Sequence, residues 1–124
     1  MTEVVLATLA FYLLQLLLPN LIAVARGEID SASLFGVRDE TVEKSTIVRR
    51  ADRAAVNIQE SLLVFLPLAV LAIGTDTSVA ETATIWLGLR VAYLFTYLIG
   101  VSYIRTFIWL GSVYCLGSMA VALV

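Results

Sequence analysis

Arg50-Ala-Asp-Arg53-Ala-Ala-Val-Asn57-Ile-Gln-Glu60 runs without a break into the apolar stretch SLLVFLPLAVLAI at positions 61–73. These residues decide the fold, because they carry chemistry-bearing side chains into a helix of membrane length. Arg53, Asn57 and Glu60 are spaced i, i+4, i+7, and at 3.6 residues per turn they share one helical face. Arg50 extends that face by one more turn. A charged group at the bilayer centre costs about 2.5–3.5 kcal/mol on insertion scales, less toward the interface, so such side chains seldom face lipid. The face reads as one wall of a polar site.

Composition agrees with a membrane setting. Of 124 residues, 60% are apolar and only 15% charged, far from the balance of a water-soluble domain. The length is that of one domain, residues 1–124. A net charge of −2 argues against a polyanionic partner, so nucleic acid binding is not expected. There is no histidine and a single cysteine, Cys115, which leaves no basis for a zinc, haem or disulfide framework. Cys115, in an apolar helix, reads as an inert small hydrophobe.

Outward from the central stretch, the chain divides into four spans, at about residues 4–25, 54–73, 79–99 and 105–123. The first is about 33 Å long at 1.5 Å per residue, enough to cross a bilayer. Glu3 stands where a signal peptide would carry basic residues, and the apolar run is longer than a signal core, so it reads as a membrane helix. Pro19-Asn20 is expected to kink it, and Arg26-Gly27 to stop it. A long polar loop follows over about residues 26–52, with a turn-like Phe35-Gly-Val-Arg38-Asp39-Glu40 and a helical lead-in from about Val42. Gly74-Thr-Asp-Thr77 reads as a tight turn, and Ser78-Val-Ala-Glu81 as a capping box opening the third span.

Charge orients the spans. Of the eight basic residues, seven lie near the first loop or the turn between spans three and four: Arg26, Arg38, Lys44, Arg49, Arg50, Arg53 and Arg105. The opposite ends carry only Glu3, Asp76 and Glu81. The positive-inside rule then makes the long loop cytoplasmic, with both termini on the other side.

The eighth basic residue, Arg90, lies inside the third span with Tyr93 and Tyr97 at i, i+3 and i+7. This second polar face opens to the same side as Arg53, Asn57 and Glu60. Together the two faces suit a small, hydrogen-bonding ligand of net negative charge. A purely structural reading stands beside this one. In it, Arg53 or Arg90 pairs with Glu60 between helices, and Tyr93, Tyr97, Tyr103, Trp86 and Trp109 are interfacial aromatics.

The ordered set R-x-x-R-A-x-x-N-x-x-E, R-x-x-Y-x-x-x-Y, and an arginine opening the last span resembles the MAPEG superfamily, the membrane-associated proteins in eicosanoid and glutathione metabolism. The resemblance covers nearly the whole chain, and Gly36-Val-Arg-Asp-Glu40 with Arg53-Ala-Ala-Val-Asn57 is similar to its small bacterial branch. It implies an all-α, four-helix integral membrane bundle that assembles as a homotrimer, placed in a bacterial inner membrane. It implies glutathione bound between subunits: Arg53, Asn57 and Glu60 on its peptide and termini, Arg90, Tyr93 and Tyr97 from the next subunit, Arg26 on a carboxylate, and Arg50 extending the binding face. Arg105 matches the arginine near the glutathione sulfur, where a cation lowers a thiol pKa of about 8.5. A lipophilic second substrate would arrive from the bilayer, in a groove of the first and last helices.

Departures narrow the activity. Arg26 precedes Gly27 where leukotriene synthases have a second arginine, Tyr93 replaces a histidine of the prostaglandin E synthases, and Thr106 replaces their serine. Trp109 stands near a position that is tyrosine in some members. The resemblance therefore implies a general glutathione transferase or peroxidase, or alternatively a non-catalytic lipid-binding or scaffold member. A proton-coupled exporter fits poorly, because the first span has no charge between Glu3 and Arg26.

Overall fold

The computed structural model describes residues 1–27 and 45–124. They form four helices: α1 (Thr2–Ala25), α2 (Thr46–Gly74), α3 (Ala80–Ile99) and α4 (Tyr103–Leu123). No strand occurs among the described residues. Each helix is long and apolar enough to cross a bilayer. The turn read at 35–40 and the lead-in at 42–44 lie outside the described residues.

Local sequence explains where the helices start and stop. Ser45 caps α2, its Oγ accepting the Val48 amide at 3.4 Å. The helix thus begins well ahead of residue 54, inside the stretch read as loop. At 1.5 Å per residue it is about 43 Å long, more than the roughly 30 Å of a bilayer core, so its first turns extend beyond the hydrocarbon. Those turns hold Arg49, Arg50, Asp52 and Arg53.

α2 ends in a left-handed turn. Asp76 takes φ 54°, Thr77 N–H reaches Ala72 O at 2.9 Å, and Asp76 N–H reaches Ile73 O at 3.3 Å. The capping box read at Ser78 is not formed. α3 starts at Ala80 with Val79 as its cap residue and no side-chain cap bond. Val79 is buried in the core, and its packing rather than a serine hydroxyl fixes the entry of α3. Glu81 does sit in the first turn, where its charge favours the helix dipole. Gly100 closes α3 at φ 84°, with Val101 N–H on Thr96 O and Gly100 N–H on Tyr97 O. α1 runs unbroken through Pro19, which is buried.

The bundle is knit mainly by α3 against α4 and α1 against α2, with α2 against α3 next. α2 and α4 touch less, and α1 and α4 share no extensive contact. α2 presents Val48, Ala51, Ala55, Ile58, Leu62, Phe65, Ala69 and Ala72 inward at three- and four-residue steps. Lipid tails remove any hydrophobic drive between membrane helices, so the alanines matter by letting backbones approach. At the centre Phe65 and Trp86 stack with centroids 4.1 Å apart and planes 6° from parallel. Buried hydroxyls satisfy themselves along their own helices: Thr8 donates to Val4 O at 2.7 Å, and Ser112 to Trp109 O at 2.7 Å.

Candidate functional site

The up-and-down order of the helices brings Arg26, Arg49, Arg50, Arg53 and Arg105 to one end. Below that end, within one chain, the two polar faces meet. Arg90 is 1% exposed, and its Nη2 donates to Asn57 Oδ1 at 2.6 Å. Its guanidinium carbon lies 4.5 Å over the Tyr93 ring. Its Nε and Nη1 are buried and have no hydrogen-bond partner among the described residues.

A second cation repeats the arrangement. Arg105 in the first turn of α4 lies 4.5 Å over the Tyr97 ring, and the Tyr93 and Tyr97 rings are 5.6 Å apart. Arg90, Tyr93, Tyr97 and Arg105 therefore form a ladder in which cations flank two π faces. Glu60 makes no ion pair with Arg53 or Arg90 among the described residues. Among the described residues the structural ion pair considered from the sequence is thus not formed, and no carboxylate there compensates the buried charge of Arg90.

Two cavities open beside this ladder. The smaller, about 160 Å³, is lined by Asn57, Tyr93, Arg105, Thr106 and Trp109. The larger, about 520 Å³, runs between α2 and α4, from Asn57, Glu60 and Ser61 down to Leu68 and Ala120. Asn57 and Trp109 border both. One end is polar and cationic, the other a groove of Val64, Leu68, Val113 and Leu116.

The structure brings Asn57, Glu60, Tyr93 and Arg105 to these cavities, with Arg90 behind Asn57 and Tyr97 beneath Arg105. Arg53 is exposed on α2, one turn before Asn57, and lines neither cavity. Arg26 is exposed at the C-terminal cap of α1. Arg50 turns away to the end of α3, its Nη1 donating to Leu98 O at 3.3 Å.

Within one chain, two placements are fixed by the packing of the helices. Arg90 and Tyr93 meet Asn57 within the same chain, because a short turn returns α3 antiparallel beside α2. The larger cavity is built by α2 and α4, and α1 and α4 share no extensive contact within a chain. Thr106 and Trp109, noted in the sequence only as departures from the family pattern, also line these cavities. Trp109 lies one turn beyond Arg105 and shares its face, which is the signal that points to it.

This constellation can hold a small polar anion at its cationic end beside an apolar molecule in the groove. Residues 4–124 match the family model described as the MAPEG family. The chain belongs to the MAPEG family. Its members are integral membrane proteins associated with glutathione and eicosanoid metabolism, and the four apolar helices place this MAPEG protein in contact with lipid. Neither the curated proteins nor the solved structures compared with it give a match.

Proposed function

We propose that the protein is a glutathione-dependent transferase or peroxidase acting on lipophilic substrates. The observation that carries this is Arg90: a buried cation with two unpartnered nitrogens, bonded to Asn57 at the wall of a cavity that Arg105 and Tyr93 also line. Glutathione offers matching chemistry, with two carboxylates, an ammonium, two peptide groups and a thiol. Glu60 suits the ammonium, Asn57 a peptide group, and Arg53 and Arg26, at the same end, the carboxylates.

Arg105 supplies the chemistry. Its guanidinium favours the thiolate over the thiol by direct charge attraction, in a site where apolar walls limit screening. In the transferase reaction the thiol proton goes to solvent and the sulfur lone pair forms the bond to an electrophilic carbon, whose leaving group departs. In the peroxidase reaction the thiolate attacks the terminal oxygen of a lipid hydroperoxide, releasing an alcohol. The resulting sulfenate takes up a proton from solvent, and the thiol of a second glutathione reduces the sulfenic acid, which yields the disulfide and water. The α2–α4 groove holds the apolar part of either substrate.

The outer face of α2 supports a homotrimer. Gln59 and Glu60 are exposed midway along the membrane-length α2, and lipid is a poor neighbour for them. A second copy of the chain covers that face. The positive ends sit in the cytoplasm and both termini opposite, as in a bacterial inner membrane.

The test is calorimetric binding of glutathione to detergent-purified protein, followed by turnover of a chlorodinitrobenzene electrophile and a fatty-acid hydroperoxide. Binding with turnover that Arg105→Ala abolishes supports the enzyme. The 520 Å³ groove favours one second reading, a lipid-binding scaffold. Lipid retention without turnover at millimolar glutathione would establish that reading instead.

A further inference from the structure

Arg50 lines neither cavity, yet it is placed with care. Its Nη1 donates to Leu98 O at 3.3 Å, satisfying a carbonyl in the last turn of α3. Its guanidinium lies flat against Gly100. A Cβ built on that glycine would stand 2.9 Å from Nη1 and 3.0 Å from both Cζ and Nη2, so the guanidinium would have to move off. Gly100 also needs its positive φ of 84° to end α3. The φ requires the glycine, and its missing Cβ leaves the face on which Arg50 rests.

The position of this contact gives it a consequence. Leu98 directly follows Tyr97, the ring beneath Arg105. Gly100 opens the short link from which α4 starts at Tyr103, and Arg105 lies in that first turn. We propose that Arg50 is a positioning residue: it latches the first turns of α2 to the α3–α4 link and so fixes Arg105 over Tyr97 at the cavity wall. This deepens, and rests on, the glutathione reading, but it removes Arg50 from the residues that touch the tripeptide. A guanidinium is required because it is planar and lies flat where an ammonium cannot.

The experiment follows the ultraviolet absorbance of the bound thiolate against pH, with glutathione affinity measured in parallel. Arg50→Ala is expected to leave affinity within about twofold while raising the thiolate midpoint by roughly half a pH unit or more. Gly100→Ala, which pushes the guanidinium off, moves the midpoint the same way. Arg50→Lys keeps the charge but not the flat contact and behaves as Arg50→Ala. On an Arg105→Ala background the Arg50 substitution adds no further shift, since both act through one group.

A tenfold loss of affinity with an unmoved midpoint makes Arg50 a ligand and overturns the proposal. So does full rescue by Arg50→Lys, which would mean charge acting at a distance. Amide hydrogen exchange supplies a readout that needs no ligand. Arg50→Ala is expected to speed exchange across residues 100–106 while the α2 core keeps its protection. Unchanged exchange there overturns the latch. If wild type fails to bind glutathione, the transferase reading falls by itself, and the exchange result still decides the latch.

Discussion

Arg90 carries its charge into the bundle with one hydrogen bond, to Asn57, and one aromatic face, Tyr93. Removing the acceptor leaves a buried cation short of its partner. Asn57→Leu is therefore expected to cost about 1.5–3 kcal/mol of stability, read by thermal unfolding in detergent. Arg90→Met removes the charge along with its need for a partner, and replacing buried charge by an apolar side chain is often close to neutral. The expectation is a near-wild-type melting temperature with glutathione binding lost. A protein that unfolds on Arg90→Met would show the arginine to be structural. Tyr97 gives Arg105 a flat surface, so Arg105→Lys should retain part of the thiolate signal that Arg105→Ala loses. A lysine indistinguishable from wild type would mean that charge alone, without stacking, sets the thiol.

Helix ends are where local sequence was only partly legible. Ser45 is a serine before a helix, and Ser45→Ala is expected to destabilise by about 1 kcal/mol, checked by denaturation in mixed micelles. Ser78 has the same chemistry and a glutamate three residues later, yet it caps nothing, because the burial of Val79 shifts the start of α3. Packing overrode a local motif. Asp76 holds a left-handed φ of 54° that a β-branched residue resists. Asp76→Val is expected to lower stability by about 1–2 kcal/mol and Asp76→Gly to leave it unchanged or slightly raised. Equal melting curves for the two would show that the turn relaxes.

Over the whole molecule, the thin contact between α2 and α4 creates the groove. Gly117 lines it, and a Cβ there meets nothing within 4 Å, so a larger side chain at this position enters open space. Gly117→Phe is expected to fold normally and to reduce turnover of long-chain hydroperoxides about tenfold or more, while a small aromatic electrophile is still used, a loss of about 1.4 kcal/mol in transition-state binding. Equal losses for both substrates would place the apolar substrate elsewhere.

The four spans, their order and the two polar faces could be read from sequence, because a bilayer imposes length and makes each intramembrane charge conspicuous. Asn57, Glu60, Arg90 and Tyr93 announced themselves by being costly where they are. Their partners did not. That Arg90 bonds Asn57 within one chain, that Glu60 pairs with neither arginine, and that Arg50 leaves its face for the end of α3 all depend on how antiparallel helices pack. The α4 wall of the groove was hidden for a related reason. A helix apolar all round has no contrast between the side facing protein and the side facing lipid, so only the tertiary structure could choose Val113, Leu116 and Gly117.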